Sequence, residues 1–244
     1  MRLDIYLVEE GVYPTRARAQ AAVKAGLVKI DGAVAAKPSA PVAPGAKVDV
    51  AGDVHVYVSR GGVKLDAALR AFEIEPSGKI CLDLGASTGG FSDVLLRAGA
   101  KKIYAVDVGT GQLHPSLIDD PRVINLERTH AKDLSRALIP EPVEILVCDV
   151  SFISLKKALP PALALCAPRA RLVALIKPQF EVGRSRIGKG GIVKGGYANS
   201  YGVGQDVHDW LGRQPGWKSL GWMDSPIAGG DGNKEFLLGA IKAA

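Results

Sequence analysis

Residues 79–107 read KICLDLGASTGGFSDVLLRAGAKKIYAVD, and the fold is decided by this stretch. Ile80-Cys81-Leu82-Asp83-Leu84 is a short apolar run of the kind buried in a parallel sheet. Gly85-Ala86-Ser87-Thr88-Gly89-Gly90 follows as a glycine-rich turn. Phe91 to Ala98 then predicts a helix, which Gly99 ends. Ile103 to Val106 predicts a second strand with Asp107 at its carboxyl end. The unit is βαβ, with an acid 22 positions after the first glycine. In open α/β sheets ligands bind beyond the carboxyl ends of the strands, and an acid placed there hydrogen-bonds ribose hydroxyls.

The spacing of the glycines separates two cofactors. A dinucleotide fingerprint is GxGxxG, whose middle glycine lets a pyrophosphate approach the helix N-terminus. Here the order is GxxxGG, so that glycine is missing. Asp83 stands two residues before the turn, where a carboxylate can receive a cationic amino group. S-adenosylmethionine has no phosphate and offers an ammonium and a ribose diol. An acid, a turn and a second acid therefore fit it better than NAD. The expected cofactor set is Asp83, Gly85, Ala86, Ser87, Thr88, Gly89, Gly90, Phe91, Asp107 and Asp149. The expected fold class is α/β, a Rossmann-like methyltransferase sheet behind a small N-terminal α+β domain.

Beyond this unit, four polar residues stand where such a sheet would gather them. Lys64 lies in SRGGVKL, before the first strand. Asp149 ends the strand Ile145–Cys148, and Lys177 ends the strand Arg171–Ile176. Glu235 follows the Gly230-Asp231-Gly232-Asn233 turn of the last hairpin. Charged groups at the ends of apolar strands are partly desolvated, which points to pairing or to function. No His/Cys cluster has ligand spacing, so no metal is expected.

The first 58 residues have a different texture. Thr15 is a good cap for a helix from Arg16 to Ala25 that stops at Gly26. Ala17, Ala21 and Val23 are expected inward, with Arg16, Gln20 and Lys24 along one outer face. Leu27, Val28 and Ile30 predict a strand turned by Asp31-Gly32, and Lys47–Val50 predicts another. A cationic helix row beside a short sheet suits RNA phosphates, and a solvated surface remains the alternative. Downstream, Arg184, Arg186, Lys189 and Lys194 make a basic, glycine-rich loop that is either an RNA clamp or a solvated loop. Arg60, in the joint Ser59-Arg60-Gly61-Gly62, completes the RNA-binding candidates. The boundary is expected between residues 58 and 59, giving domains 1–58 and 59–244.

Composition sets the outer limits. The net charge of +6 permits a nucleic-acid partner without requiring one. No apolar run approaches the roughly 18 residues of a membrane span, so no membrane partner is expected. The start, MRLDIYLVEEG, is acidic where a signal peptide has its apolar core, and a cytoplasmic site is expected. Cys81, Cys148 and Cys166 lack disulfide or metal spacing and read as buried thiols.

The N-terminal pattern, from Thr15-Arg16 through Gly26-Leu27-Val28 to Ile30-Asp31-Gly32, resembles the alpha-L RNA-binding fold. SRGGVKL, DLGASTGGF, AVDVGTGQL, ERTHAKDL, CDVSFISL, LIKPQFEVGR, GKGGIVK and SPIAGGDGNKEFL resemble the TlyA (hemolysin A) family of rRNA 2′-O-methyltransferases, up to residue 241. That resemblance implies methylation of a ribose, with cytidine as the target, in ribosomal RNA or ribosomal subunits. It also implies an FtsJ-like Lys-Asp-Lys-Glu catalytic tetrad at Lys64, Asp149, Lys177 and Glu235, with Lys177 as candidate base. His130 and Lys194 depart from the family pattern, and His130 either meets the adenosine region or packs. The word hemolysin suggests a pore, for which the sequence has no amphipathic or apolar segment. Three rival readings are an NAD oxidoreductase, a non-catalytic rRNA-binding or assembly protein, and a base methyltransferase. The missing glycine opposes the first and the filled tetrad the second. Asp149-Val150-Ser151-Phe152 in place of an NPPY-like motif opposes the third.

Overall fold

Leu3 and Leu7 lie one helical turn apart and are both fully buried, so the chain opens with a helix, α1 (Leu3–Glu9), that the sequence reading did not foresee. The computed structural model describes residues 1–13, 15–50, 57–188, 191–229 and 233–244. In α2 (Arg16–Lys24) the Thr15 side chain accepts the Arg18 N–H at 3.3 Å, and Gly26 leaves the helix at φ +74°. The inward face of α2 is Ala19, Ala22 and Val23. Ala17, expected inward, is exposed, and Ala21 is half-buried. The i, i+3, i+4 stripe that packs on α1 starts at residue 19, which leaves Ala17 on the far side.

Three short strands complete this unit: β1 (Val28–Ile30), β2 (Ala33–Val34) and β3 (Val48–Val50). Asp31 and Gly32 both take positive φ, as a two-residue hairpin turn requires, and they pair Ile30 with Ala33. β3 runs antiparallel along the other side of β1. The unit spans Met1–Val56, and the second spans Tyr57–Ala244.

The second unit begins with α3 (Gly61–Ala71). Gly61 and Gly62, read above as part of a joint, are its first turn. A Cβ on Gly62 would collide with the Tyr57 ring, so close approach explains that glycine. There follow β4 (Ile80–Leu84), α4 (Gly90–Arg97), β5 (Lys102–Val106), α5 (Pro115–Ile118), β6 (Val123–Leu126) and β7 (Val143–Cys148). The chain continues through α6 (Leu155–Ala164), β8 (Cys166–Ile176), α7 (Pro178–Glu181), α8 (Gly196–Gly212), β9 (Trp217–Asp224) and β10 (Phe236–Lys242).

The seven strands lie in the order β6-β5-β4-β7-β8-β10-β9. β4 to β8 are parallel, whereas β10 is antiparallel to β8 and β9. Alternation along the strands divides the core in two. Leu82, Leu84, Leu146, Cys148, Leu172 and Ala174 face α6 and α8. Cys81, Ile103, Ile145, Val147, Val173 and Leu175 face α3 and α4. Burial of both faces is why these strands read as continuous apolar runs. The order reverses at β4, with β5 on one side and β7 on the other, so the crevice opens at its carboxyl end. The glycine turn begins there. All three cysteines are buried and free.

Candidate active site

Gly85 takes φ +86°, and a Cβ there would lie 2.7 Å from the Asp149 backbone oxygen, so only glycine fits where β4 meets the end of β7. Gly89 takes φ +96° at the cap of α4. Between them Ser87 is also left-handed, at φ +49°, and its N–H donates to Asp107 Oδ2 at 2.8 Å. The Gly109 N–H donates to Asp107 Oδ1 at 2.7 Å. Asp107 thus ties the turn to the end of β5, and each carboxylate oxygen keeps a lone pair for a further donor.

A cavity of about 300 Å³ opens above this turn. Gly85, Ala86, Ser87, Thr88, Gly90 and Phe91 line it, and Gly89 does not. Lys64, Asp149, Ser151, Lys177 and the exposed Arg60 line it too. A second cavity, of about 630 Å³, shares Gly85, Ser87, Asp149 and Ser151 with the first. It runs past Asp107 and His130 along an apolar wall that includes Val108 and Ile153. Asp83 lies beneath the turn with no exposed surface. Ser92 Oγ donates to its Oδ2 at 2.7 Å, and its Oδ1 has no partner. Burial pushes the carboxyl up to about 7. A buried, half-satisfied acid under one end of the groove and Asp107 under the other suit a ligand with an ammonium and a ribose diol.

The four tetrad candidates form two ion pairs. Lys64, on α3, meets Glu235, just before β10, at 2.5 Å, and both side chains are buried. Lys177 Nζ lies 2.5 Å from Asp149 Oδ1. β7 and β8 pair Cys148 with Ala174, so Asp149 and Lys177 leave the sheet at the same end. Lys177 and Glu235 also line a third cavity of about 330 Å³, with Ser151, Phe152, Gln179 and Phe180.

The nucleic-acid candidates fall into separate groups. Arg16 Nη2 and Gln20 Nε2 both donate to Asp4 Oδ2, at 3.0 and 2.7 Å, and Lys24 is exposed. Arg184 and Arg186 are exposed on a tight turn, Arg184–Arg186. Lys189 lies outside the described residues. Described residues of the basic loop are tied down: Ile187 bridges Val193, and Asn233 accepts from the Val193 N–H and donates to the Gly191 carbonyl. Lys194 Nζ donates to the Ser185 carbonyl at 2.9 Å.

Sequence reasoning missed three features. Asp4 is a fully buried acid that also accepts from Arg2, and it organises the α2 row. Phe152 is 91% exposed at φ +66°, its ring 5.0 Å from that of Phe180. Ser151 accepts a hydrogen bond from Lys177 Nζ at 2.8 Å. The run CDVSFIS looks like core continuing past a strand, and only the left-handed residue reveals the turn.

Among the described residues no helix is long and apolar enough to cross a membrane. The FtsJ-like methyltransferase family matches residues 57–242, and the S4 domain matches residues 1–48. The 16S/23S rRNA (cytidine-2′-O)-methyltransferase TlyA of Mycobacterium tuberculosis is 45% identical, over 97% of this chain and 88% of the relative. Hemolysin A of Brachyspira hyodysenteriae is 38% identical, over 97% and 98%. A solved Streptococcus thermophilus protein named for hemolysin superposes with a TM-score of 0.74 at 38% identity, covering 100% of this chain and 88% of that one. Similarity that spans the whole sheet and continues through the N-terminal unit settles the lineage: this chain belongs to the FtsJ-like methyltransferases, as a TlyA relative with an S4 domain ahead of its sheet.

Proposed function

We propose that this chain methylates the ribose 2′-hydroxyl of a cytidine in ribosomal RNA, with S-adenosylmethionine as donor, in the cytoplasm, on free RNA or on assembled ribosomal subunits. The observation that carries this reading is the convergence of Lys64, Asp149 and Lys177 on one cavity floored by the glycine turn. The identity to a named cytidine-2′-O-methyltransferase over nearly the whole chain supports the substrate.

When bound, S-adenosylmethionine supplies a methyl group on a sulfonium, already electrophilic. The turn from Gly85 to Phe91 would hold its amino-acid end, with Asp83 countering the ammonium from below. Asp107 would accept the ribose hydroxyls with the lone pairs left by Ser87 and Gly109, and Asp149 closes the groove between the two ends. Lys177, in its neutral form, accepts the proton of the 2′-hydroxyl and so sharpens an otherwise weak nucleophile. Asp149 holds Lys177 in place, and Glu235 does the same for Lys64, whose charge faces the cavity. In the resting fold the two ion pairs cancel, and once Lys177 is neutral the tetrad carries a net negative charge, so attraction for phosphate must come from outside it. Arg16, Gln20, Lys24, Arg60, Arg184 and Arg186 are the groups assigned to it.

Transfer of radiolabelled methyl into ribosomal RNA by the purified chain tests the reading. Lys177→Ala should bind S-adenosylmethionine as the wild type does and lose about 10²–10⁴ in rate. Lys177→Arg keeps the charge but cannot give up its proton at working pH, and should be equally inactive. Wild-type turnover from the arginine variant would remove the base from Lys177.

A further inference from the structure

Lys177 Nζ has two neighbours of different character. Asp149 Oδ1 lies 2.5 Å away but off the line a hydrogen bond requires, and this oxygen is left without a hydrogen bond. The Ser151 hydroxyl, at 2.8 Å, accepts a directed one. An ion pair fixes how far away the amine lies, whereas a hydrogen bond fixes which way its tetrahedral nitrogen faces. Ser151 also lines all three cavities described above. It therefore stands where the cofactor groove meets the space beside Lys177 and Glu235.

Its own position is secured from the element that carries Lys177. The Asp149 N–H donates to the Leu84 carbonyl at 2.9 Å. On the far side of the turn, Ser154 Oγ and the Leu155 N–H both donate to Glu181, at 2.6 and 2.7 Å. Glu181 ends α7, the helix that starts one residue after Lys177. The loop bearing Ser151 and the strand end bearing Lys177 are thus held as one piece.

We propose that Ser151 is a positioning residue for the methyl transfer, orienting the Lys177 amine so that its lone pair faces the ribose 2′-hydroxyl. This rests on the function proposed above. A neutral amine has two N–H bonds and one lone pair. Directing one N–H at Ser151 Oγ stops free rotation about the Cε–Nζ bond, which would otherwise scatter the lone pair. The serine hydroxyl accepts in this bond, so its own proton stays available to an oxygen in the cavity.

The test is steady-state methylation of ribosomal RNA by the full chain, comparing wild type, Ser151→Ala and Ser151→Thr. Ser151→Ala should lower kcat by about 10- to 100-fold with KM for S-adenosylmethionine and for RNA little changed. Ser151→Thr, which keeps the hydroxyl, should recover most of the loss. Turnover of Ser151→Ala within about twofold of wild type would overturn the assignment. So would a threonine variant no better than alanine, or a loss carried by KM, which would mark an ordinary binding contact. A wild-type chain that transfers no methyl to ribosomal RNA would overturn the proposed function itself, and this inference with it.

Discussion

Asp83 is a fully buried acid with one carboxylate oxygen left without a hydrogen bond. Its carboxyl is pushed up to about 7 because burial outweighs the side-chain and backbone hydrogen bonds from Ser92, with Asp149 and Asp107 adding repulsion. The unfolded value is about 3.9, so the folded state holds an extra proton between about pH 4 and 7. Stability therefore falls as pH rises through that window and levels above it. A cation arriving over the turn reverses the preference by favouring the carboxylate. S-adenosylmethionine binding at pH 6 should then release a proton, seen as a calorimetric enthalpy that varies with the ionisation heat of the buffer. The dependence should vanish in Asp83→Asn. Buffer-independent heats for the wild type at pH 6 would show that Asp83 does not sense the ligand.

At the scale of elements, α1 and α2 meet around a buried charge. Arg2 first, then Gln20 and Arg16, hold the Asp4 carboxyl well below the usual carboxylate range. A depressed acid stabilises the fold above its unfolded pKa and loses that contribution as pH falls toward its folded value. Asp4→Asn should therefore lower the melting temperature of the N-terminal unit at pH 7, with the gap closing below about pH 4. A gap that stays constant down to pH 2 would assign the effect to packing. How legible each element was follows from the same physics. The β4–turn–α4–β5 unit could be read because parallel strands bury both faces and glycine alone tolerates the turn at Gly85 and Gly89. Asp149 and Lys177 could be placed because each ends an apolar strand. α1 was missed because two buried leucines in seven residues make too short a pattern. Phe152 was missed because an apolar residue after a strand looks alike whether buried or turned outward, and Ser151 because a lone serine in a loop carries no sign of the lysine it meets. Lys64 precedes the first strand in sequence, and its place on α3 was hidden because Gly61-Gly62 resembles a joint and not the first turn of a helix.

Under the proposed function the two units divide the labour of methylating an RNA. In that reading the sheet holds the tetrad and the cofactor groove, and each unit carries cations assigned to RNA: Arg16 and Lys24 in the first, Arg60, Arg184 and Arg186 in the second. Cations of this kind bind a polyanion by charge and leave its choice to shape. The product of the proposed reaction is a 2′-O-methylated cytidine in ribosomal RNA. Ribose-methylation mapping of ribosomal RNA tests it most directly, in cells carrying the gene, lacking it, or carrying Lys177→Ala. The expected result is at least one cytidine ribose methylated only with the intact gene, and restored by wild type but not by Lys177→Ala. Identical maps in all three strains, or a gene-dependent methyl group on a base, would contradict it.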